Sequence, residues 1–173
     1  MNIQLRALTF AIFAATSTLH AAQIPLSTTA PFTTLEQLLP GDNFAVVDGL
    51  TFDNFDYAWT GQMPSPAGIN VLPHIDDEGN AGLRFQGGFV DDAGDDASDS
   101  LITFSVTSSG PMISGAHLAA NPDLFGGMPG TGLAAVTETF LPEIEDDSIT
   151  TYDNGSIEQL SDGIMFDTPL ATV

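Results

Sequence analysis

Residues 50–59 read Leu-Thr-Phe-Asp-Asn-Phe-Asp-Tyr-Ala-Trp. Leu50 and Phe52 alternate with polar neighbours; Phe55, Tyr57 and Trp59 then alternate one step out of phase. Period-two alternation lays one face of a strand on an apolar core. The slip at Asp53-Asn54 predicts a β-bulge, which inserts one residue without ending the strand. This segment commits the chain to β-structure.

Its surroundings read the same way. Phe44–Val47 is a short apolar run closed by Asp48-Gly49. Ile69–Leu72, residues 81–90, residues 100–107, Met112–Ala119, Gly132–Phe140, Ser148–Tyr152 and Gly163–Phe166 are further strand candidates. Gly, Pro, Asn and Asp clusters separate them at roughly the spacing of an all-β chain. No stretch between them carries the helical pattern of a parallel α/β fold. The expected fold class is all-β, an antiparallel, jelly-roll-like β-sandwich over residues 44–173. Residues 23–43 form a lead-in with one short helix near 33–39. There Leu35, Leu38 and Leu39 fall at helical spacing behind a Thr33–Glu36 capping pattern, and Pro40-Gly41 stops the run. The Gly/Pro-rich stretch Asn121–Gly130 reads as a loop between sheets.

Residues 1–22 have the three-part layout of a secretory signal peptide: Arg6, an apolar run over Ala7–Ala15, then small residues. Cleavage after Ala22 leaves a mature chain from Gln23, and export is the expected localisation: secreted, periplasmic or cell-surface. No acid precedes Glu36, so all 23 acidic residues stay in that chain against one strong base, Arg84, a difference of −22. Such a surface repels nucleic acid and anionic lipid, which require Lys/Arg clusters. No later apolar run is long enough for a membrane-spanning helix. With no cysteine, thiolate zinc sites, cysteine catalysis and disulfides are excluded.

Five aspartates, Asp91, Asp92, Asp95, Asp96 and Asp99, fall within nine residues. Clustered carboxylates on a loop suit calcium, which prefers six to eight oxygen ligands. Their spacing does not match the helix–loop–helix calcium loop, which needs acids at alternate positions and a final Glu. The simpler expectation is a charged hairpin loop between the strands at 81–90 and 100–107. Asp76-Asp-Glu78 and Glu143-Ile-Glu-Asp-Asp147 read as solvated turns in the same way. Tyr57 and Trp59, beyond the bulge, are the aromatic residues expected to be partly exposed, and exposed rings stack on sugars. His74 and His117 stand in no nucleophile motif, and Gly110–Gly115 misplaces the serine of a G-x-S-x-G elbow. No catalytic residue and no obligatory cofactor is expected.

Several short pieces resemble one family in order. Gly49-Leu-Thr-Phe-Asp-Asn-Phe-Asp-Tyr57, Ala81-Gly-Leu-Arg-Phe85, Ser98-Asp-Ser-Leu-Ile-Thr-Phe-Ser-Val106 and Thr137-Glu-Thr139 are similar to elements of exported bacterial β-rich proteins carrying PEP-CTERM sorting signals. The resemblance implies processing at the envelope by an exosortase system and a role at the surface or in the matrix. It also makes Asp99 the leading residue of a framework strand. The final residues, Asp167–Val173, lack the Pro-Glu-Pro, apolar helix and basic tail of that signal. That departure suggests an unanchored secreted relative or a C-terminally incomplete sequence. The expected function is a non-enzymatic envelope or matrix protein with weak calcium binding at the acidic loop. The alternatives are a calcium-assisted carbohydrate-binding module using Tyr57 and Trp59, with extracellular polysaccharide as partner, and a secreted hydrolase on a jelly-roll scaffold.

Overall fold

The computed structural model describes residues 21–40, 42–92, 96–123, 132–140 and 148–173. Residues 1–20 of the expected signal segment, Asp95, Glu143, Glu145, Asp146, Asp147 and residues 124–131 lie outside the described residues.

The alternation reads out as strands. In chain order they are β1 (Thr33–Thr34), β2 (Ala45–Val47), β3 (Leu50–Trp59), β4 (Asn70–Ile75), β5 (Ala81–Gln86), β6 (Ser100–Ser108), β7 (Ile113–Ala119), β8 (Ala134–Thr139), β9 (Ser148–Asp153), β10 (Glu158–Gln159) and β11 (Ser161–Leu170). All strand pairs are antiparallel, in sheets ordered β1-β4-β5, β2-β3-β6, β7-β11 and β8-β9-β10. The architecture is all-β and sandwich-like.

Local chemistry sets the turns. Asp48-Gly49 joins β2 to β3 with φ of 45° and 84°, as a two-residue type I′ hairpin requires at both positions. The bulge falls where the phase slips. Asp53 pairs with Ser105, the next pair is Asp56 with Thr103, and Asn54 between them has φ 54°. Phe52, Phe55 and Tyr57 are thereby all kept on the buried face.

The short helix is α1 (Leu35–Leu38), with its cap one residue later than the sequence pattern suggested. Thr34 is the N-cap, and its N–H donates to Gln37 Oε1 (2.9 Å). Thr33 belongs instead to β1, and its hydroxyl donates to Pro25 O (2.7 Å). The lead-in is part of the fold. Leu35 and Leu38 are wholly buried, and each such side chain is worth about 1.5–3 kcal/mol.

The interior divides into two clusters. One lies between sheets β1-β4-β5 and β2-β3-β6 and gathers Leu35, Leu38, Phe52, Phe55, Tyr57, Ile69 and Val71. Phe104 adds to it from β6, 5.7–6.0 Å in ring centroid from Phe52, Phe55 and Phe85. The second lies between β7-β11 and β8-β9-β10, around Phe140, Ile149 and Phe166. Residues 171–173 join the two, because Ala171 and Val173 bond the outer edge of β6 through Ser108 and Val106.

The acidic connection is not a hairpin loop. β5 pairs with β4 and β6 with β3, so residues 87–99 cross from one sheet to the other. Alternation marks strands but not their neighbours, and this crossing left no mark in the sequence.

Candidate functional site

Two groups of residues expected to carry function meet at one end of the β3–β6 ladder. Trp59 pairs with Ser100, and the ladder continues past the strand as Thr60 N–H donates to Asp99 O (2.8 Å). Asp99 N–H returns a bond to Thr60 Oγ1 (3.1 Å). Gln62 N–H donates to Ser98 Oγ (2.9 Å), and Asp92 N–H donates to Gln62 Oε1 (3.2 Å). Ser98 is itself held by Asp91, since its hydroxyl donates to Oδ1 (2.8 Å) and its N–H to Oδ2 (3.3 Å). Both ends of the acidic connection are thus pinned to the turn that follows Trp59.

Gly61 makes that approach possible. Its φ is +59°, and a Cβ there would strike the Ser98 side chain. Thr60, Gly61 and Gln62 stand in no sequence motif, and Ser98 only heads the Ser98–Val106 piece without a role of its own. The glycine directly after an aromatic strand was the one available signal.

The carboxylates divide by role. Asp91 is a structural acceptor for Ser98. Asp92 contributes its backbone N–H to the turn. Asp99 leads β6 as a ladder residue, and the side chains of Asp91, Asp92, Asp96 and Asp99 are exposed. Among the described residues no three acidic or histidine side chains gather closely enough to hold a metal. Asp76, from another acidic group, staples the β4–β5 turn. Its carboxylate accepts from Glu78 N–H (3.0 Å), Asn80 N–H (2.7 Å) and Asn80 Nδ2 (2.8 Å). Those bonds, from Asn80 above all, lower its pKa.

Tyr57 and Trp59 differ from the expectation that both are partly exposed. Tyr57 is buried at 8% exposure, and its hydroxyl donates to Pro64 O (2.7 Å). Burial pushes its phenol pKa up, and a bond with Ser100 opposes that. Its place on the core face after the bulge is the reason. Trp59, two residues on at the strand end, is 46% exposed and stacks on Tyr57 at 5.1 Å with planes 13° apart. The outer aromatic ring is therefore set on a fixed base.

His74 and His117 are both exposed, on β4 and β7. A shallow, solvent-open hollow lies elsewhere, lined by Asp123, Asp153, Gly155, Ser156, Ile157 and Glu158. Among the described residues no helix is long and apolar enough to cross a membrane. No protein family, curated protein or solved structure matches this chain.

Proposed function

We propose that the protein is a non-enzymatic exported component of the cell envelope or extracellular matrix, and that it works through the Trp59 end of the sandwich. One observation carries this reading. The exposed aromatic ring and the acidic connection come from separate stretches, yet Thr60, Gln62 and Ser98 hold them together. The acidic side chains there stay solvent-facing, where they attract mobile cations. Weak calcium association at Asp91, Asp92, Asp96 and Asp99, with Asp95 beside them in sequence, is part of the proposal.

Calcium titration followed by a thermal melt tests it. Calcium at millimolar concentration is expected to raise the melting temperature above that in sodium chloride of equal ionic strength, because a ligand of the folded state stabilises it. Equal melting temperatures in the two salts would remove calcium from the reading. Export is checked on secreted material by intact mass, which is expected to place the mature N-terminus at Gln23.

The geometry of Trp59 favours a second reading, a carbohydrate-binding face. A half-exposed indole held flat on a buried tyrosine is pre-ordered for stacking on a sugar ring. Binding on a glycan array that disappears in Trp59→Ala supports it, and an array that stays blank retires it.

A further inference from the structure

Among the described residues the first sandwich is open along one side. β6 pairs with β3 over its length, and its other edge is met only by residues 171–173 among the described residues. The N–H groups of Val106 and Ser108 point to that outer edge, donating to Val173 O (2.7 Å) and Ala171 O (3.0 Å). Backbone groups alternate along a strand, so the N–H and C=O of Ser100, Ile102 and Phe104 point the same way. Among the described residues they have no backbone partner there. β5 is likewise the last strand of the facing sheet.

The side chains tell the same story. On the inner strands Phe52, Phe55, Tyr57 and Val71 are buried. On the two edge strands Leu83, Phe85, Ile102, Phe104 and Val106 face the same core and are only half-buried. Phe85 and Phe104 meet across the seam at 5.9 Å. β6 reads Ser-Leu-Ile-Thr-Phe-Ser-Val-Thr-Ser, without charge or proline. Edge strands usually carry such residues to prevent pairing with another chain.

We propose that an extended segment of a partner polypeptide adds as a strand beside residues 100–105 of β6. Its alternate residues are apolar and fill the seam against Phe104, Phe85 and Leu83. The residues between are Lys or Arg. Charge decides the occupant. Asp91, Asp92, Asp96 and Asp99 lie just ahead of β6, and Asp53 and Asp56 sit opposite Ser105 and Thr103 on the outer face. A second copy, with 23 acids against two strong bases over the whole chain, brings the same sign and is repelled. Backbone bonds supply the affinity of such strand addition, and the alternate side chains supply its selectivity.

The test uses a labelled eight-residue peptide of alternating valine and lysine, a valine/glutamate counterpart, and a scrambled valine/lysine control. Fluorescence anisotropy is expected to show saturable binding of the first alone, weakened about tenfold or more between low and 0.5 M salt. Hydrogen exchange on the wild-type complex supplies the decisive pattern. The amides of Ile102 and Phe104 are expected to slow at least tenfold, while Thr103 and Ser105, which already bond β3, stay unchanged. Ile102→Pro, which deletes one edge donor, is expected to abolish binding. If that variant does not fold, the exchange pattern still decides. Equal binding of the glutamate or scrambled peptide overturns the proposal. So does slowing without that odd–even pattern, or self-association of the protein alone that protects the same amides.

Discussion

Glu138 on β8 lies opposite Ile149 of β9, so it shares a sheet face with a residue buried in the second cluster. Burial raises its pKa, because a desolvated carboxylate resists ionisation. A raised folded-state value means that folding takes up a proton. The stabilisation is complete below the unfolded value, about 4.3, and is lost as pH rises through the folded one. Glu138→Gln is therefore expected to raise the melting temperature at pH 7 and leave it nearly unchanged at pH 4, read by scanning calorimetry at both values. Asp76 has the opposite sign. Its lowered pKa contributes stability above its unfolded value that is lost as pH falls through the folded one. Thr151, diagonal to Glu138, is wholly buried, and its hydroxyl has no hydrogen-bond partner among the described residues. Thr151→Val keeps the shape and removes an unsatisfied group, which costs about 1–3 kcal/mol when buried. It is expected to raise the urea midpoint at every pH. A lower midpoint would show that the hydroxyl has a partner in solution.

Strands were the legible level of the sequence. Apolar or alternating runs between Gly, Pro, Asn and Asp clusters located β2 to β9 and β11 to within a few residues, and the phase slip located the bulge. The bulge rests on Asn54, whose φ of 54° suits asparagine or glycine and whose Nδ2 donates to Ser105 Oγ (3.3 Å). Asn54→Gly is expected to change stability little, whereas Asn54→Val is expected to cost about 1–3 kcal/mol, read as a shift in the urea midpoint. Equal midpoints for the two would mean that the bulge relaxes into a regular register. Elements without a periodic signature stayed hidden. β1 and β10 have two residues each, too short for any pattern. The crossing of residues 87–99 depends on which strands pair, and pairing is decided by packing far along the chain. Trp59 was legible as an aromatic at a strand end. The polar clamp around it was not, because Ser98, Thr60 and Gln62 bond through generic side chains that occur in any loop.

At the scale of the molecule, two facts compete. The chain carries a net charge of −21, and its self-repulsion is strongest at low salt. Raising sodium chloride from 10 mM to 0.5 M is accordingly expected to raise the melting temperature, and a flat response would mean that the acids are too far apart to matter. Against this repulsion the two apolar clusters are held together by little backbone among the described residues. Val106 and Val173 exchange bonds of 2.7 and 2.9 Å, Ser108 bonds Ala171 at 3.0 Å, and the hydroxyls of Thr107 and Thr172 meet at 3.2 Å. At about 0.5–1.5 kcal/mol each, the four bonds are a substantial part of a domain's marginal net stability of about 5–15 kcal/mol. Trp59 fluorescence reports the first cluster, and far-ultraviolet dichroism reports all the sheets together. In the intact protein the two are expected to trace one transition, the signature of a two-state unit. Deleting residues 171–173 removes every one of these bonds while leaving β11 in register with β7 from Ser161 to Met165. The two probes are then expected to separate, with the clusters melting apart. Coincident transitions in both proteins would show instead that side-chain packing between the clusters, rather than the terminal residues 171–173, couples them.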